Sequence, residues 1–548
     1  MLAASLVASP AAAAAERSST TAADDQPGLV RQSRLPELAG LVGAASLLLL
    51  SLGAGRRAGP VRTRLPSSEP AGSADVAWRL APWLVVAAFA AAETALVLSL
   101  GAGPTIDEGL YIAAGLRTLG GHGISDGYLS WFSGSLLWPA IAGVGYELSG
   151  LDGARLMALL SIVVAMVATV KATGNLFGRR ARFFAALLLA TNGPVLMLAH
   201  LAVYDALAVA AVATSLWCIT EVARRDHRAW LVAAAMSLSL GVLAKYPTLL
   251  FAGPTLTALL VVLRRRQAVT DLTLFGFVFA AVPMILFLSE REQFSMLFTN
   301  NLALQTESFG ASPRTVAYAQ AYFTAVPALL ALAGWLALPR RRLLASVLAS
   351  GVLGPVAYHL MSQNGVSDHK HVVYGLVFAA PLGGVGLAGA SRDWLRRVAM
   401  VPALAAVALL GVAQMQRLDQ GSPDLRPSVD YLRAHIKPGQ ELLINNSWPF
   451  IPYLYEGDLL ASPWEVYDVY RVRSGQARGV CDFDWFVDAP GGSSWPARIR
   501  RQARRCGTFR EVFVQPESMV GLTNDRLDFI EYTGYARIWR NVDRKRSG

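Results

Sequence analysis

Between residues 36 and 415, apolar stretches of membrane-crossing length follow one another with little between them: near 36–54, 80–101, 153–172, 183–201, 205–222, 229–246, 248–263, 271–289, 318–338, 343–361, 372–390 and 397–415. A helix of about 20 apolar residues crosses the hydrocarbon of a bilayer, where the backbone must satisfy its own hydrogen bonds. Two stretches are short or interrupted and can merge with a neighbour, so the expected number of transmembrane helices is about ten to twelve. Composition agrees. Of 548 residues, 54% are hydrophobic and 16% charged, and mean hydropathy is +0.40, above that of an ordinary soluble chain.

The net charge of +11 is concentrated in short clusters: Arg56, Arg57, Arg62 and Arg64; Arg179, Arg180 and Arg182; Arg224, Arg225 and Arg228; Arg264 to Arg266; Arg340 to Arg342; and Arg392, Arg396 and Arg397. Clusters after alternate spans mark cytoplasmic loops and argue against nucleic acid as partner. The intervening segments are acidic or nearly neutral, with Asp107, Glu108, Asp126 and Glu147, then Asp205, then Glu290, Glu292 and Glu307, then Asp368. They face the outer side if the first span crosses the membrane. Within the first outer loop, 102–152, the stretches GLYIAAGLRTLGG and LSWFSGSLLWPAIAGVGYEL read as interfacial helices, with Trp131 and Trp138 at headgroup level. One more helical hairpin is the alternative. A second outer segment, 290–317, reads as an amphipathic loop able to close over a site.

Residues 1–35 read as a disordered or leader-like N-terminus, and 36–415 as the membrane domain. From 416 to 548 the hydrophobic runs shrink to strand length, as in ELLIN, DFDWFV and REVFVQ, separated by Pro, Gly, Asp and Ser. The fold class expected is therefore a polytopic α-helical membrane protein with a C-terminal soluble α/β domain on the outer side. Trp448, Trp464, Trp485 and Trp495 of that domain suit either its core or a glycan surface. Cys218 lies in an apolar run, whereas Cys481 and Cys506 lie in the polar part, where an oxidising compartment joins them or leaves two free thiols.

Asp107 and Glu108 directly follow the second span. Two carboxylates beside hydrocarbon invite a functional explanation, one taking a proton from an attacking hydroxyl and the other orienting it or binding a cation. Acids at a solvated helix N-terminus account for them equally well. Asp205 opens the fifth span on the same side, just after His200 and Tyr204, where a helix cap is the plain alternative. Lys245, His369, Lys370 and His371 collect on that face and suit a lipid phosphate at headgroup depth, against the plain reading of snorkelling side chains. No cofactor is implied with certainty. A divalent metal stays open, although His369 and His371 point apart on a helix.

The stretch from Thr105 to about Lys245 resembles the GT-C glycosyltransferases of the dolichyl-phosphate-mannose protein mannosyltransferase and lipid A aminoarabinose transferase superfamily. The resemblance rests on DEGLYIAAG, GARLMALLSIV, LFGRRARFFAALLLATNGPVLMLAHLAVYD and LAKYP, in family order. It implies a polyprenyl-phosphate sugar donor, transfer with inversion, Asp107 as catalytic base, a supporting role for Glu108, and Asp205 as the second acid. Where the family carries an Arg-Tyr pair before a Leu-Pro run, this chain has HKHVVYGLVFAAP, making Lys370 and Tyr374 looser candidates for phosphate contact. Where the family carries Pro-Pro-Leu, it has WFSGSLLWP. The departing phosphate is a weak base that needs cations more than a general acid.

The function expected is a hexosyl- or pentosyltransferase of the cell membrane, acting outside the cytoplasm on a glycan, lipid or protein acceptor. A secondary transporter is the rival from another class, but transporters concentrate ionisable groups near the midplane of repeated halves. A non-catalytic scaffold presenting the C-terminal domain is the third reading.

Overall fold

The computed structural model describes residues 42, 45–47, 49, 73–101, 103–121, 134–225, 227–262, 268–289, 291, 313–362, 368–419, 424–444, 447–456, 459, 467–468, 479–489, 494–515, 519–520, 533–534 and 536–543. The N-terminal 35 residues, most of the expected first span, Trp131, Trp464 and most of the 290–317 loop lie outside them.

The membrane part is a succession of helices. We number them α1 Ser73–Ser99, α2 Ile106–Leu119, α3 Leu137–Phe177, α4 Arg179–Ala190, α5 Gly193–Ala199, α6 Tyr204–Arg225, α7 Arg228–Ala244, α8 Ala252–Val262, α9 Ala268–Ser289, α10 Pro313–Leu336, α11 Arg342–Ser362, α12 Asp368–Ala390 and α13 Trp394–Asp419. Among the described residues, six helices are long and apolar enough to cross a membrane. The bent pair α4 and α5 makes a seventh, and four shorter apolar segments bring the arrangement close to the expected number. Local chemistry sets the breaks. Asn192 caps α5 by accepting from the Val195 N–H, and Pro194 occupies its first turn, where the missing N–H costs nothing.

Of the two stretches expected to lie in the interface, the described residues bury one side against protein, while Leu119, Val144 and Leu148 stay exposed. Helix α2 is buried from Glu108 to Leu116. Trp138 is fully buried, its indole N–H donating to the Ala202 carbonyl at 3.2 Å. That carbonyl belongs to the non-helical 200–203 turn, where a backbone acceptor needs a partner. The helix carrying Trp138 runs on into the next span through a break at Ser149 and Gly150, the latter at φ +58°, a conformation that glycine adopts without strain.

The C-terminal part comprises α14 Arg426–His435, β1 Leu442–Ile444, α15 Ile451–Glu456, β2 Tyr467–Asp468, β3 Trp485–Asp488, α16 Ser494–Cys506, β4 Phe509–Val514, β5 Met519–Val520, β6 Thr533–Gly534 and β7 Arg537–Asn541. A five-stranded mixed sheet runs β2-β1-β3-β7-β4, with β1 parallel to both neighbours and β7 antiparallel to both of its own. All three strand-length runs picked out in the sequence contribute strands to it. Alternation along β3 divides its faces. Trp485 and Val487 join the core shared with α14, α15 and the membrane helices, whereas Phe486 packs with Ile499 and Ala503 of α16. Cys481 and Cys506 are joined in a disulfide, so the two thiols are paired rather than free. Trp448 and Trp485 are core residues.

Two contacts fasten this part to the membrane helices. Tyr146 donates to Glu456 at 2.7 Å and lies 2.9 Å from the Pro452 carbonyl. Gly109 lets α2 approach the Trp448 backbone so closely that a Cβ there would lie 1.9 Å from the Trp448 carbonyl oxygen.

Candidate active site

The site begins with the sequence Thr105-Ile106-Asp107-Glu108. Thr105 caps α2 by accepting from the Glu108 N–H at 3.2 Å, and the Glu108 carboxylate accepts from the Thr105 N–H at 2.8 Å, a reciprocal capping box. The same carboxylate accepts from Arg155 of α3, Nε to Oε1 at 2.9 Å and NH2 to Oε2 at 3.1 Å, and from the Ala202 N–H at 2.9 Å. Arg155 also donates to the Gly103 carbonyl at 2.9 Å. Burial by itself would raise the Glu108 pKa, but the Arg155 guanidinium and the backbone donors outweigh it and hold the carboxyl below the usual range.

Asp107, its neighbour, emerges on another side of α2 and pairs with Lys370 of α12. Its side chain is 38% exposed, against 0% for Glu108. The difference separates their energetic roles. Removing one partner of a sealed ion pair costs about 3–5 kcal/mol; the Asp107–Lys370 pair is open to water on the Asp107 side only, Lys370 being buried. Glu108 holds three segments together, whereas Asp107 presents its carboxylate to solvent beside Lys370.

Behind Asp107 lies a buried polar string. Lys245, at the extended residue ending α7, donates to Asp205 of α6 at 2.6 Å and lies 4.9 Å from the centre of the Tyr204 ring. Tyr374 of α12 donates to Asp205 at 3.2 Å. Lys245 Nζ also contacts His371 Nε2 at 2.8 Å, His371 Nδ1 contacts His359 of α11 at 2.8 Å, and His359 pairs with Asp368 at 2.9 Å. Gln320 of α10 donates to Asp368. His200, noted beside Asp205 in the sequence, pairs with Glu93 of α1 at 3.1 Å.

Asp107, Asp205, Lys245, Lys370 and Tyr374 thus converge through contacts among α2, α6, α12 and the end of α7. Glu108 turns to Arg155. His369 packs near Phe323, with ring centres 6.1 Å apart, and the imidazole touching Lys245 is His371. Among the described residues, no group of three or more His, Cys, Asp or Glu side chains is arranged to hold a metal ion. Arg155, Glu93 and His359 escaped the sequence reading. Each is an ionisable residue inside an apolar run, which is itself a signal, since such groups are kept only with partners.

Residues 134–289 match the model of the dolichyl-phosphate-mannose-protein mannosyltransferase family. The structure is similar to that of ArnT from Cupriavidus metallidurans in the apo state, with a TM-score of 0.56 and 16% identity over 86% of this chain and 99% of that one. For ArnT bound to undecaprenyl phosphate, the TM-score is 0.54 and identity 16%, over 84% of this chain and 98% of that one. No curated protein matches in sequence. The chain is a multi-pass membrane protein with the fold of the GT-C glycosyltransferases, and it resembles the protein mannosyltransferase and ArnT branch of them.

Proposed function

We propose that the protein transfers a sugar from a polyprenyl-phosphate donor to a hydroxyl of an extracytoplasmic acceptor, with inversion at the anomeric carbon. One observation carries this reading: Asp107 is 38% exposed while tethered to Lys370, and the second lysine, Lys245, lies behind it against Asp205. A carboxylate open to an acceptor and cations suited to a phosphate are the two halves such a transfer needs.

In this mechanism the acceptor oxygen forms a bond to the anomeric carbon as its proton passes to Asp107. The bond from that carbon to the phosphate oxygen breaks, and its electron pair leaves with the polyprenyl phosphate. Lys370 and Lys245 stabilise the growing charge, with Tyr374 and His369 completing the donor side. Asp205 holds Lys245 in place, and Glu108 fixes the helix that carries the base. The undecaprenyl phosphate bound by ArnT supports the donor class. The disulfide Cys481–Cys506 supports an extracytoplasmic position for residues 416–548, and the arginine-rich loops support residues 36–415 as a catalytic domain open to that side.

The test is transfer from a panel of labelled polyprenyl-phosphate sugars by purified protein in liposomes, wild type against Asp107→Asn. Loss of transfer with donor binding retained is the expected result. A panel in which no donor binds or reacts would leave the fold without the chemistry.

A further inference from the structure

From Ala489 to Arg510 the chain contains six arginines and neither Asp nor Glu. Most of this segment is α16. Ile499 and Ala503 are buried against Leu443, Phe486 and Phe509 on the sheet, and the disulfide from Cys506 to Cys481 pins the end of the helix, with Cα atoms 5.6 Å apart. Arg500 is neutralised by Asp488. Arg501, Arg504 and Arg505 stand exposed on the opposite stripe, at the three- and four-residue spacings that make helix neighbours, and none has an ion-pair partner among the described residues. Two of them lie in the last turn, where the helix dipole favours a cation. That accounts for neither Arg501 nor the lack, among the described residues, of an acid paired with any of the three.

The position of α16 narrows what such a face can meet. The sheet lies between it and the membrane helices, since the face bearing Trp485, Val487 and Ile538 packs toward α14, α15 and the bundle while α16 covers the other. A basic helix that works on lipid headgroups needs to lie against the bilayer. This one is held on the far side of a sheet by a covalent link. Guanidinium groups, weakly hydrated and planar, pair in two-point fashion with carboxylates and phosphates.

We infer that Arg501, Arg504 and Arg505 form a docking surface for a soluble anionic glycan bearing carboxylates, which captures the acceptor of the transfer. The assignment of that glycan as acceptor rests on the proposed transferase activity; the binding itself does not.

The experiment is fluorescence anisotropy of a labelled oligogalacturonate with full-length protein in phosphatidylcholine nanodiscs, with an uncharged dextran of equal length as control. The wild type should bind the uronate oligomer and not the dextran. Changing the three arginines together to Glu, or in a second variant to Gln, should weaken Kd at least tenfold, as should raising salt from 50 to 500 mM. Unchanged thermal unfolding and an intact disulfide identify variants that are folded. Asp107→Asn should bind like wild type, so absence of transfer activity and absence of docking are read separately. Equal affinity of both arginine variants and wild type, or no uronate binding at low salt, overturns the proposal. So does arginine-dependent adsorption to phosphatidylglycerol vesicles in place of the oligomer.

Discussion

Glu108 and Arg155 face each other through two hydrogen bonds, at 2.9 and 3.1 Å, with both side chains sealed from solvent. Removing either partner strands a charge. Arg155→Met is therefore expected to cost about 3–5 kcal/mol of stability, and the double variant Arg155→Met with Glu108→Leu less than the sum of the two single changes. Thermal unfolding in detergent measures both. An unchanged midpoint for Arg155→Met would show that the pair holds nothing together.

Because the Glu108 carboxyl is held below its usual range in the folded protein, its contribution is complete above the ordinary carboxyl titration near pH ~4. It is lost as pH falls through the lower folded-state value. Glu108→Gln removes that dependence. Acid unfolding curves of the two proteins should converge toward low pH, and a constant separation across the range would contradict this.

Asp107→Asn should behave differently. Asp107 is 38% exposed while its partner Lys370 is buried, so the loss of stability should fall below the about 3–5 kcal/mol of a fully sealed pair. Sugar transfer should fall by at least about 100-fold. A variant that unfolds and loses activity together would assign Asp107 to the fold.

Around Asp205, the lysine and the tyrosine should be unequal. Lys245→Met leaves a buried carboxylate without its cation, a loss of about 3–5 kcal/mol. Tyr374→Phe deletes one hydrogen bond of 3.2 Å, worth about 0.5–1.5 kcal/mol. Reversal of that order in thermal unfolding would mean that Lys245 is neutral in the resting protein.

Gly109→Ala tests how α2 is held under the C-terminal part. The added methyl would lie 1.9 Å from the Trp448 carbonyl oxygen, whereas one at Gly101 meets nothing within 4 Å. Overpacking of this kind costs about 1–3 kcal/mol, so Gly109→Ala should be destabilised and Gly101→Ala close to wild type. Limited proteolysis should then cleave first in the linker after α13.

The helices and strands were legible because their signals are one-dimensional: an arginine cluster after an apolar run, or ELLIN between polar breaks. The grouping of Asp107, Asp205, Lys245 and Lys370 was legible as a shared side of the membrane. What escaped depends on contact. An amphipathic pattern around Trp138 says that one face is apolar, without saying whether lipid or protein covers it; protein covers Trp138 itself. The spacing of Cys481 and Cys506 fits a bridge or two thiols equally. Arg155 reaches Glu108 across 47 positions, and nothing local names that partner.

Successive residues of an α-helix project about 100° apart. Asp107 and Glu108 begin such a helix and look into different surroundings, one toward Lys370 and water, the other into a closed cage of donors. Two acids adjacent in the sequence are therefore separate in function, one within reach of a ligand arriving from solvent and the other closed to any ligand.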